Sequence, residues 1–188
     1  MPTTYDRILE EGFCLLAERG YNAVSFADLA KVVGIKKATV HHHFPTKEDL
    51  VARVMAKFTE EHTAALSRVR ARHDLAADVL VAFLSGAEAL VQQSRCCLWA
   101  VLNAEFVTLP DSVQVEVQKF MDQVCGILCE IFQQGLEDGS LAFKGRSEDH
   151  GHLFFATAKG AILATRSSKN VDLFRAMTRQ LLAQYGTV

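Results

Sequence analysis

The sequence predicts an all-α fold of about nine helices. Apolar residues recur three or four positions apart through most of the chain, which is the spacing of one helix face. Strand-like alternation never extends beyond a few residues, and Pro2, Pro45 and Pro110 interrupt no long periodic segment. With 188 residues, of which 49% are hydrophobic and 22% charged, the chain can form a small domain joined to a larger one.

The first two helices have boundaries that the sequence marks clearly. Residues 4–19 place their apolar side chains on one face, and Gly20 can supply a left-handed turn that ends this helix. Ser25 is a good cap for a short second helix, which Gly34 should stop. The buried face of that second helix is expected to consist of Phe26, Leu29, Ala30 and Val33.

The third and fourth helices follow directly. Residues 36–43 form a short helix that Pro45 closes, because the residue before a proline resists helical backbone angles. Thr46 should then cap a fourth helix that continues to about residue 70.

The rest of the chain divides into five further helices. They are expected over residues 75–93, 97–107, 110–139, 148–166 and 170–185. Asp74, Ser147 and Asn170 are the expected caps of the first, fourth and fifth of these helices.

One segment has a local charge pattern that favours nucleic-acid binding, although the formal net charge of −2 gives no global sign of it. Between Asp28 and Glu48 there is no acidic residue, but there are four lysines and three histidines. The apolar residues of this segment can face one small core, which leaves the polar ones outward. Lysines on such a surface contact phosphate, and the exposed side chains of a short helix can reach base edges.

Residues 24–30 (VSFADLA), 34–44 (GIKKATVHHHF) and 47–50 (KEDL) closely resemble the TetR family of transcriptional repressors. The match covers about 50 residues in order, including the turn and the aromatic residue before the loop. The resemblance implies a helix-turn-helix DNA-binding domain over 1–46, with its motif at about 25–44. It also implies a ligand-binding and dimerisation domain over 47–188, with helix 4 as the lever between the two.

The same resemblance assigns roles to individual residues. The DNA-binding residues that it implies are Ser25, Lys36, Lys37, Thr39, His41, His42 and Lys47. Two of these depart from the family pattern. Lys36 replaces the usual small hydroxyl cap of the recognition helix and can add a phosphate contact. His41 replaces a common tyrosine, so its phosphate contact should depend partly on pH.

No metal or cofactor is expected. His41, His42 and His43 are consecutive on a helix and point about 100° apart, so they cannot converge on one ion. The five cysteines have no zinc-type spacing and are expected to be thiols.

Two of the thiols are candidate sensors. Cys96 and Cys97 follow Arg95 at a helix start, where a cation and the helix dipole lower a thiol pKa. Cys97-Leu98 followed by Ala104-Glu105 also resembles the redox-sensing branch of the family. The alternative is that both are small buried hydrophobes, which is the expectation for Cys125 and Cys129.

The C-terminal domain has the residues for a ligand pocket and for a dimer interface. The expected pocket residues are His62, Phe83, Trp99, Leu102, Phe106, Phe120, Val124 and Phe155. The resemblance places the dimer interface on the last two helices, through Leu153, Ala156, Gly160, Leu163, Phe174, Met177 and Leu181.

The function that follows is a cytoplasmic, homodimeric repressor that a small-molecule inducer releases from double-stranded operator DNA. A redox-sensing repressor and an interaction protein of the same fold without DNA binding are the alternatives. An enzyme is disfavoured, because no nucleophile–base pair or metal-ligand spacing is present. No apolar run approaches the length of a membrane helix, and no signal peptide is apparent.

Overall fold

The computed structural model describes residues 2–186, and throughout this range the regular secondary structure is helical. The helices are α1 (Thr4–Arg19), α2 (Phe26–Val33), α3 (Lys37–His43), α4 (Lys47–Arg70), α5 (Ala76–Gln92), α6 (Leu98–Ala104), α7 (Asp111–Glu137), α8 (Ser147–Arg166) and α9 (Val171–Ala183), with a short 3-10 helix at Phe106–Thr108. The predicted all-α class is confirmed. None of the described helices is long and apolar enough to cross a membrane.

The chain divides into two compact units. The first comprises the residues up to Glu60 together with Cys97–Phe120, and the second comprises Glu61–Cys96 together with the residues from Met121 onward. The first unit therefore contains α1–α3, the beginning of α4, α6 and the beginning of α7. This grouping places α6 with the segment expected to bind DNA, whereas the expected boundary lies at residue 46.

Three helices of the first unit begin with the same reciprocal capping arrangement. At α2, the Ser25 hydroxyl accepts the Asp28 N–H (3.2 Å), and the Asp28 carboxylate accepts the Ser25 N–H (2.9 Å). Thr3 with Asp6 and Thr46 with Asp49 form equivalent pairs before α1 and α4. Such caps satisfy amides that have no partner within the helix, at about 1 kcal/mol each. The expected caps Ser25 and Thr46 are therefore present.

The expected caps of α5 and α8 are wrong. The residue before α5 is Leu75, and the first amides of the helix donate instead to distant side chains: Ala76 N–H to the Asp138 carboxylate (2.9 Å) and Ala77 N–H to the Ser140 hydroxyl (3.2 Å). At α8, Ser147 is the first helical residue rather than its cap. Its hydroxyl donates to the side-chain oxygen of Gln133 on α7 (3.0 Å). Asn170 does cap α9, by accepting the Leu173 N–H (3.0 Å).

The second unit is packed around aromatic rings. Phe132 on α7 lies within ring-contact distance of Phe154 on α8 (5.7 Å between centroids) and of Tyr185 after α9 (4.8 Å). The backbones of α7 and α8 approach closely at Gly151, where an added methyl group would lie 2.9 Å from the backbone nitrogen of Cys129. A residue without a side chain is therefore needed at this crossing of α7 and α8.

Candidate nucleic-acid interface and ligand site

The α2–α3 pair is held by a small apolar core. Leu29, Val40 and Phe44 are buried, as expected. The Phe44 ring stacks on Tyr5 of α1 (5.2 Å), and the guanidinium of Arg7 donates to the Val33 carbonyl at the end of α2 (2.6 Å). These contacts attach the pair to α1, so α3 is presented on a fixed support.

The polar residues of α3 lie on the opposite side from this core. Lys36, Lys37, His41 and His42 are exposed, and Thr39 is partly exposed. No side-chain hydrogen bond caps α3 at Lys36, in agreement with the expected loss of the usual cap. The exposed surface of α3 is therefore free of carboxylates and has lysine, threonine and imidazole groups, which can contact phosphate and base edges.

The three consecutive histidines have different surroundings. The His41 ring stands edge-on to Phe26 (4.7 Å), whereas the His43 ring stands edge-on to Tyr5 (6.0 Å) and is half-buried. The packed ring of His43 supports α3, and the exposed ring of His42 stands edge-on to it (5.5 Å) without packing on another helix's ring as His41 does. Of the three, His42 is therefore the best placed to contact a base edge.

The side chain of Lys47 is more enclosed than that of a lysine lying free on the surface. Its side chain is half-buried, and its ammonium lies 4.1 Å from the centre of the Tyr21 ring. Burial lowers the pKa of Lys47, and the nearby Glu105 carboxylate opposes that shift.

Glu105 is a residue to which sequence reasoning gave no role at this interface. It follows α6, and its carboxylate accepts the backbone N–H of Tyr21 in the turn between α1 and α2 (2.5 Å). Close by, the Asn22 amide donates to the Thr108 hydroxyl (2.9 Å). The sequence around Glu105 gives no sign of its contact with Tyr21, because the two residues are 84 positions apart.

The expected pocket residues divide between the two units. In the first unit, the Phe120 ring stacks on Phe58 (5.0 Å) and on Trp99 (6.1 Å), and the Trp99 indole N–H donates to the Val117 carbonyl (3.0 Å). Leu102 of α6 is buried in the same unit, and Phe106 is partly exposed.

In the second unit, three of the expected pocket residues surround a buried lysine that the sequence did not single out. Lys159 on α8 is only 5% exposed, and its ammonium lies 5.5 Å from the Phe83 ring centre and 5.3 Å from that of Phe155. The His62 ring stands edge-on to Phe83 (6.1 Å). Burial, assisted by the charge of Lys159, lowers the pKa of His62 from 6.5 to about 3, so this imidazole is neutral near pH 7. Val124 is buried on α7.

The second unit also has an open groove between α5 and α9 with a volume of about 400 Å³. Val81, Leu84, Glu88 and Arg175 line part of it, and the Arg175 guanidinium pairs with the Glu88 carboxylate (2.8 Å). None of the expected pocket residues lines this groove.

The candidate sensor thiols are buried. Cys96 is 5% and Cys97 2% exposed, although Cys97 does stand at the residue before α6, as expected. Burial raises the pKa of Cys125 to about 11, which agrees with its interpretation as a core residue. Among the five cysteines, Cys14 on α1 is the exposed one.

The expected dimer residues fall into two sets. Leu153, Ala156, Gly160 and Leu163 form one exposed stripe along α8. The assignment of Phe174 and Leu181 on α9 to an intermolecular surface is wrong, because both are buried within the chain itself. Met177 is partly exposed, and Leu173, which was not among the expected interface residues, is a large apolar residue of α9 that is exposed.

Comparison with known proteins gives consistent matches. The family model described as "Bacterial regulatory proteins, tetR family" matches residues 8–54. A TetR-family transcriptional regulator from Agrobacterium tumefaciens has a crystal structure that superposes with a TM-score of 0.94 and 30% identity, over 97% of both chains. The repressor NemR of Escherichia coli K12 is 22% identical over 173 residues, which are 90% of this chain and 87% of NemR. The crystal structure of reduced E. coli NemR superposes with a TM-score of 0.87 over 97% of both chains.

Proposed function

Because the chain belongs to the TetR family of bacterial transcriptional regulators, we propose that it is a homodimeric repressor that a small-molecule inducer releases from operator DNA. One observation carries the proposal: the buried side of α2–α3 is attached to α1, and the exposed side of α3 with its cap has Lys36, Lys37 and His42 but no carboxylate. A dimer would place two such helices in major grooves of a near-palindromic site.

The DNA contacts that we propose follow from the exposure of each residue. Lys36, Lys37 and His41 would contact phosphates, and Thr39 and His42 would reach base edges. Ser25, which caps α2, and Lys47, at the beginning of α4, would add phosphate contacts at helix N-termini.

We place the functional boundary at residue 46, with the ligand-binding and dimerisation domain over 47–188. The inducer would contact aromatic residues of the second unit, where His62, Phe83 and Phe155 lie around Lys159. A cation between two aromatic faces favours a ligand with negative charge or an electron-rich ring. A thermal-shift screen should therefore find ligands that raise the melting temperature of the wild type but not of Phe83→Ala.

Replacing His42 with alanine should change the DNA sequence that the protein selects. A base contact from this imidazole would contribute about 1–3 kcal/mol to discrimination at one position of each half-site. The measurement is to select duplexes from a random pool with wild-type and His42→Ala protein and to sequence both sets. Identical selected sites would reduce His42 to a residue that only supports α3, and failure of the wild type to enrich any site would favour a non-DNA-binding interaction protein.

The redox-sensing alternative predicts that a mild electrophile releases the wild type from its operator and that Cys97→Ser or Cys96→Ser abolishes the release. The burial of both thiols predicts instead that the reagent labels Cys14 first. Cys14→Ser is therefore the matched control. Release of Cys14→Ser protein that depends on Cys97 would establish the sensor function, whereas unchanged DNA binding at concentrations that label Cys14 would exclude it.

A further inference from the structure

We propose that Glu105, immediately after α6, is a positioning residue that competes with DNA phosphate for the ammonium of Lys47 and so sets the DNA affinity from α6. The inference rests on the proposed function in one respect, namely that Lys47 contacts phosphate when DNA is bound. It adds a residue outside α1–α4 to those that control DNA binding.

The first observation is the place of the Glu105 carboxylate. It accepts the Tyr21 N–H at 2.5 Å and lies against Gly20, where an added methyl group would be 2.7 Å from Oε1 of Glu105. Gly20 also has a φ of 81°, so the turn adopts a backbone conformation that other residues disfavour. The turn is thus shaped to receive this side chain.

The second observation is the position of Lys47. Its ammonium rests on the ring of Tyr21, the residue whose backbone Glu105 holds, and the negative charge of Glu105 stabilises its charged form. A phosphate oxygen would have to attract this ammonium away from the Tyr21 ring and out of the electrostatic field of the Glu105 carboxylate, which is hydrogen-bonded to the Tyr21 backbone. Because both anions act on one flexible side chain, the carboxylate should weaken the phosphate contact.

The third observation links this arrangement to α6. The Thr108 hydroxyl accepts a hydrogen bond from the Asn22 amide and donates one to the Glu105 carbonyl (2.9 Å). The bonds Tyr21–Glu105 and Asn22–Thr108 therefore join the turn to the end of α6 at two points. Glu105 lies six residues after Trp99, about 9 Å further along the helix direction. A shift of α6 would therefore move the carboxylate relative to Lys47.

The test is a double-mutant cycle measured by fluorescence anisotropy with a 30-base-pair duplex of random sequence, between about 50 and 200 mM salt. Glu105→Gln keeps an oxygen for the Tyr21 N–H but removes the charge. We expect it to tighten DNA binding about fivefold at low salt and to steepen the salt dependence by up to about one unit. In a Lys47→Ala background, the same change should alter the affinity by less than about twofold.

Glu116→Gln is the matched control, because it removes one negative charge from α7 in the same unit. It should change the affinity far less than Glu105→Gln does. An equal effect of the two substitutions would overturn the inference, as would an effect of Glu105→Gln that persists without Lys47 or a loss of affinity in folded Glu105→Gln protein.

A comparison of the wild type with Lys47→Ala provides a second measurement if Glu105→Gln does not fold. A lysine freely engaged with phosphate contributes about 0.9 to the salt slope, so Lys47→Ala should flatten the wild-type slope by clearly less than this. A full reduction would show that Glu105 does not restrain Lys47. Absence of any wild-type binding would overturn the proposed function together with this inference, whereas binding without the Glu105 effect overturns this inference alone.

Discussion

Replacing Leu163 with glutamate should convert the proposed dimer into monomers and should lower the affinity for a two-half-site operator about a hundredfold or more. Leu163 is 40% exposed and lies in the apolar stripe of α8 with Leu153, Ala156 and Gly160. In a dimer that pairs these stripes, two carboxylates would be buried close together without partners, which is costly. A monomer would hold only one half-site and would lose the advantage of simultaneous binding.

The measurement is sedimentation at micromolar concentration, followed by titration of operator DNA. Leu136→Glu is the matched control, because Leu136 on α7 is 41% exposed and receives the same substitution away from the stripe. It should remain dimeric. A Leu163→Glu protein that also remains dimeric would move the interface to another surface.

Replacing Gly151 with alanine should lower the free energy of unfolding by about 3 kcal/mol, and with it the melting temperature by about 6–12 °C. The new methyl group would lie 2.7 Å from Sγ, 2.9 Å from N and 3.0 Å from Cα of Cys129. Two of these atoms belong to the backbone of α7, so the clash can be relieved only by separating α7 from α8. Because α8 also has the proposed dimer stripe, dimerisation should weaken together with stability.

Gly126→Ala is the control for the Gly151 substitution. A methyl group at Gly126, in the middle of α7, would meet nothing within 4 Å. Since alanine favours a helix interior over glycine, this change should stabilise the protein by about 0.5–1 kcal/mol. Calorimetric unfolding of both variants measures the difference, and an equal response of the two would contradict the close approach of α7 and α8.

The positions of the helices could be predicted from the sequence because their signals are local. The Ser25 and Thr46 caps lie three residues from their partners Asp28 and Asp49, and the αL conformation at Gly34 is a property of glycine itself. The same local reasoning identified the outward residues of α3. One face of α3 is apolar, so the opposite face had to be the exposed one.

Long-range contacts account for the errors. Asp74 was expected to cap α5 because of its position, but Asp138 and Ser140 satisfy the first amides of that helix across more than 60 residues. Phe174 and Leu181 were assigned to a dimer surface because apolar periodicity does not tell intramolecular from intermolecular burial.

Long-range contacts also explain why sequence reasoning missed two charged residues. Lys159 and Glu105 would be interpreted as surface charges from their sequence neighbours. Only the packing of Phe83 and Phe155 around Lys159, and of the Tyr21 turn against Glu105, reveals their surroundings.

The central claim is that two α3 helices bind DNA as a symmetric pair. The most direct test is hydroxyl-radical footprinting of the wild type on a duplex that it has selected from a random pool. Binding as a symmetric pair predicts protections related by a two-fold axis, with half-site centres about 34–36 Å apart or a multiple of this distance. The base preference that the His42→Ala protein loses should lie at the same position within each of the two protected half-sites. A single unpaired half-site, or protection without any two-fold symmetry, would contradict binding by two α3 helices of a dimer.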